Sequence, residues 1–334
     1  MAIIPARFHE KPVVCMRTLL KLLADGEFHS GEVLGQRLGV SRAAVWKQLI
    51  QLQEELGLDI HKVRGKGYRL PKAISLLDVE RLQLACGELG WAVSLFDTVG
   101  STNSEAMRLA SEGAPLPHLI VAERQTAGRG RRGRTWASPF SENIYYSLAL
   151  RIDGGAQHLE GLSLVVGLSV IEVLKTLDIS GAGLKWPNDV LVGNRKVAGI
   201  LVELMGDPAG VCQVVIGIGI NVNMLANETV DQPWTSLQAE TGGLVDRSAL
   251  AIALSRRLAW DLQKHRKEGF SSFRQAWERN HLWEGREVSL FSGSQVIEGR
   301  ALGVDDVGAL RLDLDGREQT FSGGELSLRL RNDS

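Results

Sequence analysis

Apolar positions in the first 70 residues recur at the spacing of three short helices and then of a β-hairpin. Helical spacing occurs over residues 16–24, 31–38 and 42–56, and in the last of these Val45, Leu49 and Leu52 fall on one face. Residues 60–70 alternate between polar and apolar around Gly65 and Gly67. This alternation predicts a tight hairpin with basic residues at its tip.

The order helix, helix, turn, helix and basic hairpin is that of a winged helix-turn-helix. Such a fold places one helix in the major groove of DNA, where base edges are distinguishable, and the cationic hairpin against phosphates. The candidate DNA-contacting residues are Ser41, Arg42, Lys47, Arg64 and Lys66. The alternative is a small helical docking module whose basic face is only solvated, and the cationic cluster on the hairpin argues against it.

After a linker at residues 71–77, the pattern becomes mixed α/β. Strands are predicted at residues 119–123, 144–150, 184–186, 197–205 and 211–222. Helices are predicted at residues 103–111, 159–177, 248–267 and 272–280. From about residue 284, short alternating runs separated by glycines predict a small β-barrel. We therefore expect three domains, at residues 1–74, 75–283 and 284–334.

Charge separates the first of these domains from the rest. The 334 residues include 38 Lys and Arg against 39 Asp and Glu, which gives a net charge of −1. Residues 1–72 hold 12 basic and 7 acidic residues, a charge of +5, whereas the remainder holds 26 and 32, a charge of −6. A basic head on an acidic body predicts different partners for the two parts.

Other features of composition restrict the class of protein. Three cysteines without a CxxC pair favour neither a disulfide framework nor a zinc site. The N-terminal residues have no long apolar core, and the most hydrophobic stretch, at residues 162–174, contains Glu172. We expect a cytoplasmic protein that does not associate with a membrane.

The most unusual segment is residues 128–134, which contain four arginines and three glycines. The segment matches GxGxxG, and Asp153 follows Gly133 by 20 residues, as in a dinucleotide-binding motif. That interpretation fails because Pro139 and a predicted strand follow where the motif requires a helix. Glycines allow close backbone approach and guanidinium groups bind phosphate and carboxylate, so we expect an anion-binding loop. A surface patch for nucleic acid is the alternative.

The next candidate segment is residues 185–203. Lys196 lies where a turn enters an apolar strand, which predicts an ammonium group held against a dry interior. Asp189 is a candidate magnesium ligand, because Mg²⁺ takes one or two carboxylates and draws its other ligands from phosphates and water. The alternative for Asp189 is a turn-capping residue.

Two further segments carry candidate chemistry. Gly217 and Gly219 lie on alternate positions of a predicted strand, which leaves room for a flat ligand on the sheet or marks a bulge. Ser101, Thr102 and Asn103 precede a predicted helix, where they either cap the helix or offer polar groups to a ligand. No Walker A, G-x-S-x-G or HExxH motif occurs.

Taken together, these segments resemble the bifunctional biotin protein ligases that also repress the biotin operon, and the resemblance covers nearly the whole chain. It rests on the head helix and wing, Ser101 to Asn103, Gln125 with the 128–134 loop and Trp136, and the segments 185–189, 195–199 and 217–221. It implies an α+β fold: a winged helix-turn-helix, a class II aminoacyl-tRNA synthetase-like catalytic domain and an SH3-like C-terminal barrel.

The resemblance also implies a reaction. ATP and biotin, with Mg²⁺, would form biotinyl-5'-adenylate, and biotin would then pass to a lysine of the biotin carboxyl carrier protein of acetyl-CoA carboxylase. The adenylate would promote homodimerisation and binding to operator DNA. The alternatives are a ligand-sensing regulator without ligase activity, and a ligase whose head does not bind DNA.

The resemblance assigns residues to this reaction by position. Lys196, Arg131 and Arg129 would be catalytic, and Asp189 would hold the metal. The residues that would bind biotin are Ser101, Thr102, Asn103, Gln125, Arg129, Gly130, Arg131, Lys196, Gly199, Gly217 and Gly219. The residues that would bind the nucleotide are Arg131, Arg134, Trp136, Asn188, Lys196 and Asn221. The 128–134 loop is expected to be mobile without ligand, because its four like charges repel one another.

Overall fold

The computed structural model describes residues 12–152, 155, 159–206, 210, 212–323 and 326–331. Asp153, the acidic residue of the dinucleotide-binding alternative, lies outside these residues. None of the helices in the described ranges has the length and apolarity that a membrane crossing requires.

The head has the predicted order of elements. These are α1 (Pro12–Leu23), α2 (Gly31–Leu38), α3 (Arg42–Leu56), β1 (His61–Val63) and β2 (Gly67–Arg69). The Ser30 and Ser41 side chains cap α2 and α3, while Gly39 and Gly57 end them in the left-handed conformation that suits glycine. Strands β1 and β2 pair as an antiparallel hairpin, which confirms the predicted wing.

The body is built on one seven-stranded sheet. Its strands are β3 (Ala92–Phe96), β4 (His118–Ala122), β5 (Ile144–Ile152), β6 (Ala182–Lys185), β7 (Asp189–Val192), β8 (Arg195–Gly206) and β9 (Cys212–Ile220). Their order is β3-β4-β5-β9-β8-β7-β6, with only the β3–β4 pair parallel. The body helices are α4 (Val79–Gly87), α5 (Thr102–Ser111), α6 (Leu162–Lys175), α7 (Leu237–Thr241), α8 (Arg247–Glu268) and α9 (Ser271–Arg279).

Alternate residues of the central strands face two different cores. Leu148 and Ile216 belong to the large core that contains α6 and α8, whereas Ala149 and Val215 pack with α5 on the other face. The sequence pattern did not predict α4, α7, β3 or β7. Strand β7 begins with Asp189 directly after a proline turn and has only three apolar residues, so no clear strand pattern marks it.

A buried ionic network joins the head, the linker and the sheet. Arg247 and Glu123 are both fully buried and form an ion pair. Arg247 Nε donates to the Ser75 carbonyl at 2.6 Å, and the Leu77 backbone N–H donates to Glu123 Oε1 at 2.8 Å. Arg17 of α1 donates to the Leu77 carbonyl at 2.7 Å. The segment predicted to be a linker is therefore fixed to the body.

The C-terminal domain is β-rich, as predicted. Its strands are β10 (Glu287–Ser292), β11 (Gln295–Val304), β12 (Leu310–Leu314), β13 (Arg317–Phe321) and β14 (Leu326–Leu330), in the order β13-β12-β11-β10-β14. Among the described residues, no pairing between β13 and β14 closes this sheet into a barrel. Trp186 of the body, which is buried, donates to the Gly308 carbonyl at 3.1 Å and so joins the two domains.

Candidate functional site

One cavity of about 540 Å³ lies over the central sheet. Its walls come from β5, β8 and β9, the N-terminus of α5, the 128–134 loop and β14 of the C-terminal domain. Every residue that was predicted to meet biotin, the nucleotide or magnesium lines this cavity. Segments as far apart in sequence as Ser101 and Leu328 thus share one site.

The first polar end of the cavity is built at the N-terminus of α5. Gln125 Oε1 accepts hydrogen bonds from the Thr102 backbone N–H at 2.8 Å and from Thr102 Oγ1 at 3.0 Å. Ser101 occupies the N-cap position, but its side chain makes no capping bond. Gln125 therefore supplies a hydrogen-bond acceptor to the N-terminus of this helix. Ser101 does not cap the helix with its side chain.

Asn103 is held from two sides. Its Nδ2 donates to Glu203 Oε2 at 2.7 Å, and its Oδ1 accepts from Ser147 Oγ at 2.5 Å. Glu203 Oε1 also accepts from Arg129 Nη2 at 3.0 Å. A continuous hydrogen-bond chain thus runs from the helix end to the 128–134 loop, and it fixes the Asn103 amide in the cavity wall.

Sequence reasoning missed Ser147 and Glu203. Each lies inside a strand of mainly apolar residues, Ser147 in β5 and Glu203 in β8. A buried polar side chain is costly unless it is hydrogen-bonded, so a polar residue in such a strand is itself a signal of a partner. Lys185, the first residue of the 185–189 segment, is not among the predicted site residues but also lines the cavity.

The glycines of β9 serve a different purpose from the one predicted. A Cβ on Gly217 would lie 2.3 Å from Asn103 Oδ1, and a Cβ on Gly219 would lie 2.4 Å from Trp136 Cε2. The space above the two glycines is therefore taken by these side chains. Strand β9 pairs without a register shift to both neighbours, so the bulge alternative does not apply.

An ion cluster lies at the second polar end of the cavity. Lys196 Nζ is 2.7 Å from Asp189 Oδ1, and Lys185 Nζ is 3.7 Å from Asp189 Oδ2. The Lys196 and Asp189 side chains are 15% and 14% exposed. Burial raises the pKa of Asp189, because it disfavours the charged carboxylate. The positive charges of Lys196 and Lys185 have the larger effect, and the pKa of Asp189 lies below its ordinary value. Burial lowers the pKa of Lys185.

These contacts bear on the two interpretations of Asp189. The residue lies in β7 opposite Gly199 and binds an ammonium group, so it is not a turn cap. Among the described residues, no group of three His, Cys, Asp or Glu side chains could hold a metal ion. One carboxylate that already faces two lysines does not make a resident magnesium site, because the other ligands would have to come from phosphate and water.

The 128–134 loop is organised by its own backbone. The Gly130 N–H donates to the Arg134 carbonyl at 2.7 Å, and the Trp136 N–H donates to the Gly128 carbonyl at 2.9 Å. No helix follows the loop, and the next regular element is β5, which agrees with the rejection of a dinucleotide motif. Loop mobility without ligand stays a prediction.

Arg131 crosses the cavity to two other segments. Its Nη1 donates to Asn188 Oδ1 at 2.9 Å, and its Nη2 donates to the Leu326 carbonyl of β14 at 3.1 Å. Burial lowers the pKa of the Arg131 guanidinium group, and the negative charge of Asp189 partly offsets this effect. The guanidinium group thus lies beside the ion cluster, where a bound anion would meet several positive charges at once.

Asn221 fixes the backbone that carries Lys196. Its Nδ2 donates to the Thr235 carbonyl at 3.0 Å and to the Lys196 carbonyl at 3.3 Å. The Lys196 N–H donates to the Pro233 carbonyl at 2.9 Å. The ammonium group is further positioned 5.4 Å from the centre of the Trp136 ring.

The residues predicted to contact DNA lie outside this cavity. Arg42 and Lys47 are exposed on α3, and Arg64 and Lys66 are exposed in the turn of the wing. Ser41 Oγ accepts from the Ala44 N–H at 3.2 Å and so caps α3. The head therefore presents four cationic side chains to solvent on its helix and wing.

Comparisons with known proteins match each of the three regions. The Biotin/lipoate A/B protein ligase family model matches residues 95–221, an HTH domain model matches residues 16–69, and the Biotin protein ligase C terminal domain model matches residues 285–329. The second and third matches agree with the predicted head and C-terminal domain.

Similar proteins extend over most of the chain. The bifunctional ligase/repressor BirA of Salmonella typhimurium is 44% identical over 93% of this chain and 97% of its own length. That of Bacillus subtilis is 34% identical over 87% of this chain and 90% of its own length. The solved structure of biotin protein ligase from Aquifex aeolicus in complex with biotin and ATP has a TM-score of 0.64 and 33% identity, and it covers 72% of this chain and 99% of its own.

Proposed function

This chain belongs to the family of bifunctional biotin ligase/repressors, and from that premise we propose how its residues perform both activities. It is a biotin–protein ligase and a DNA-binding repressor. The proposal for the ligase rests on one observation: a polar pocket, the 128–134 loop and the Lys196–Asp189 cluster all line the same cavity.

The reaction joins two anions. A carboxylate oxygen of biotin attacks the α-phosphorus of ATP, the bond to the β-phosphate breaks, and biotinyl-5'-adenylate and pyrophosphate form. An acceptor lysine amine then attacks the acyl carbon, a proton is released and AMP leaves. Two like charges at 4 Å repel by about 4 kcal/mol at an effective dielectric constant of 20, so the site must supply positive charge.

We assign that positive charge to Arg129, Arg131 and Lys196. Arg131 and Lys196 both lie beside Asp189, so an anion placed there would meet both cations. Arg129 is bound to Glu203 in this structure, and reaching the biotin carboxylate would require it to exchange that partner. Holding both substrates in one cavity also converts their encounter into an intramolecular step.

The polar pocket at α5 is the proposed site of biotin's ureido ring. The Asn103 Nδ2 group donates to Glu203 and, at 3.4 Å, to the Leu201 carbonyl, so the amide fixed in this way offers the remaining acceptor capacity of its Oδ1 at a set position. The other residues proposed to contact biotin along its length are Ser101, Thr102, Gln125, Gly130, Gly199, Gly217 and Gly219.

We place the nucleotide at the opposite end, against the Trp136 ring. The Trp136 ring packs over Gly219 and lines the cavity, so it is placed to contact a base. Arg134, Asn188 and Asn221 are proposed to surround the nucleotide. Magnesium is proposed to accompany ATP, where it would offset phosphate charge. Asp189 is the protein residue that would help to hold it, together with phosphate oxygens.

We also propose domain boundaries at residues 74 and 283, a central domain similar to class II aminoacyl-tRNA synthetases, and an SH3-like C-terminal domain. The contact between Arg131 and the Leu326 carbonyl supports a role for that last domain in closing the nucleotide site.

The proposed partners follow from the two activities. The acceptor is the biotin carboxyl carrier protein of acetyl-CoA carboxylase, and the DNA partner is the operator of the biotin genes. Occupancy by the adenylate is proposed to favour a homodimer that places two heads on a palindromic site, and the cytoplasm is the proposed location.

Incubation with labelled biotin, MgATP and a biotin carboxyl carrier domain tests the ligase, and acid-stable label on that domain is the expected result. A ligand-sensing regulator without ligase activity would produce neither label nor pyrophosphate. Gel shifts with operator DNA test the repressor, and equal affinity with and without biotin plus ATP would contradict the proposed coupling.

Variants test the assigned cations. Lys196→Ala and Arg131→Ala should reduce pyrophosphate release at least about 100-fold, the order of effect seen when one group that stabilises developing charge is removed. Arg317→Ala, which changes an exposed arginine of the C-terminal sheet outside the cavity, is the matched control. Release at the wild-type rate by both site variants would remove the assignment.

A further inference from the structure

Trp46 is a large aromatic side chain on the exposed face of α3. It is 47% exposed, whereas Val45, Leu49 and Leu52 of the same helix pack into the head core. Ala43 and Lys47, three positions before and one after it, are exposed as well. The indole therefore belongs to the outward face of the helix that is proposed to enter the major groove.

The surroundings of Trp46 are cationic. The Lys62 ammonium group of the wing lies 5.8 Å from the centre of the Trp46 ring, and the exposed residues Arg42 and Lys47 lie four positions before and one position after Trp46 on α3. The acidic residues of the helix, Glu54 and Glu55, come two turns later. An exposed apolar ring on a cationic helix and wing matches a polyanion that presents apolar groups between its phosphates.

Double-stranded DNA has that combination. Its phosphates line both sides of the major groove, and the 5-methyl group of thymine is the apolar group exposed on the groove floor. Contacts from cationic side chains to phosphates fix the position of the protein but carry no sequence information, so an apolar ring on the groove-facing side of the helix is suited to reading a thymine.

We infer that Trp46 packs against a thymine 5-methyl group in each operator half-site and is a determinant of operator sequence. The inference rests on the proposed repressor function and adds to it a residue and the chemical group that it reads. Arg42, Lys47 and the wing then supply affinity that depends on salt, while Trp46 discriminates thymine from the other bases.

Deoxyuridine substitution tests the contact, because it removes the methyl group and leaves base pairing and charge unchanged. A duplex is selected from a random-sequence pool on the full-length protein with biotin and MgATP, and each thymine is then replaced in turn. At one thymine in each half-site, wild-type affinity should fall about fourfold, the effect of one buried methyl-sized group.

Three variants separate the contact from general DNA affinity. In Trp46→Ala the deoxyuridine effect should disappear, whereas Trp46→Phe, which keeps an apolar face, should retain part of it. Lys47→Ala should weaken every duplex and leave the methyl effect intact. Thermal unfolding of each variant checks that the head is folded.

The outcomes distinguish this inference from the function on which it rests. If the wild-type protein selects no duplex, operator binding fails and the inference fails with it. If a duplex is selected but every deoxyuridine effect is absent, or equal in wild type and Trp46→Ala, the repressor function stands and the inference is overturned.

Discussion

Substitution of Gly217 by alanine should displace the Asn103 side chain from the cavity wall. The added Cβ would lie 2.3 Å from Asn103 Oδ1 and 2.7 Å from Nδ2, which is far inside van der Waals contact. The amide cannot simply swing aside, because Ser147 and Glu203 hold it at 2.5 and 2.7 Å. The clash therefore breaks both hydrogen bonds or strains the strand.

The size of the effect follows from those two bonds. A neutral hydrogen bond contributes about 0.5–1.5 kcal/mol net, and one to a charged group about 1.5–3 kcal/mol. Gly217→Ala should thus lower the free energy of unfolding by about 3 kcal/mol. Biotin affinity should fall about 10- to 100-fold, because the displaced amide no longer holds its acceptor oxygen in place and the pocket wall is distorted.

Urea unfolding and calorimetric titration with biotin measure the two effects. Gly243→Ala is the control, because nothing lies within 4 Å of a Cβ there, and it should leave both quantities unchanged. In an Asn103→Ala background, Gly217→Ala should cost little further stability. If the two substitutions destabilise the protein additively, the clash is not the cause and the reasoning is refuted.

The remaining predictions concern buried ionisable groups. His281 lies against Trp277, with both ring nitrogens lacking a hydrogen-bond partner, and burial lowers its pKa from 6.5 to about 4. Its contribution to stability is complete above pH 6.5 and is lost as the pH falls toward 4. Urea unfolding at pH 7 and 4.5 should show a loss on the order of 3 kcal/mol that His281→Phe removes. Arg247→Met should lower the free energy of unfolding by about 3 kcal/mol, because the buried Glu123 then keeps only Arg17, 3.5 Å away, as a cationic partner, and adding Glu123→Gln should recover part of the loss.

Each of these predictions can fail in a specific way. An equal pH dependence in wild type and His281→Phe would show that other groups account for the acid sensitivity. Full wild-type stability of the Arg247→Met variant would show that the buried ion pair between Arg247 and Glu123 contributes nothing to stability.

Local sequence signals were sufficient where an element has both a long apolar pattern and a stop signal. In the head, serine caps and glycine ends mark α2 and α3, and the structure confirms those bounds. Strands β5, β8 and β9 were predicted because each has nine or more residues rich in apolar side chains. Strands β3 and β7 were missed, although β4 and β6 are equally short. Ser94 interrupts the apolar residues of β3, and β7 has only three apolar residues between two turns, so neither has the continuous apolar run that marks β4.

The sequence by itself determined which chemical groups are present: four arginines in a glycine-rich loop, a lysine and an aspartate near one turn, and a basic head on an acidic body. Only the tertiary structure decided their partners. It brought Glu203 to Asn103 and Arg129, paired Lys196 with Asp189, and placed Trp136 over Gly219. The physical reason is that such contacts depend on the strand order β5-β9-β8-β7, and sequence spacing does not specify which distant strands become neighbours.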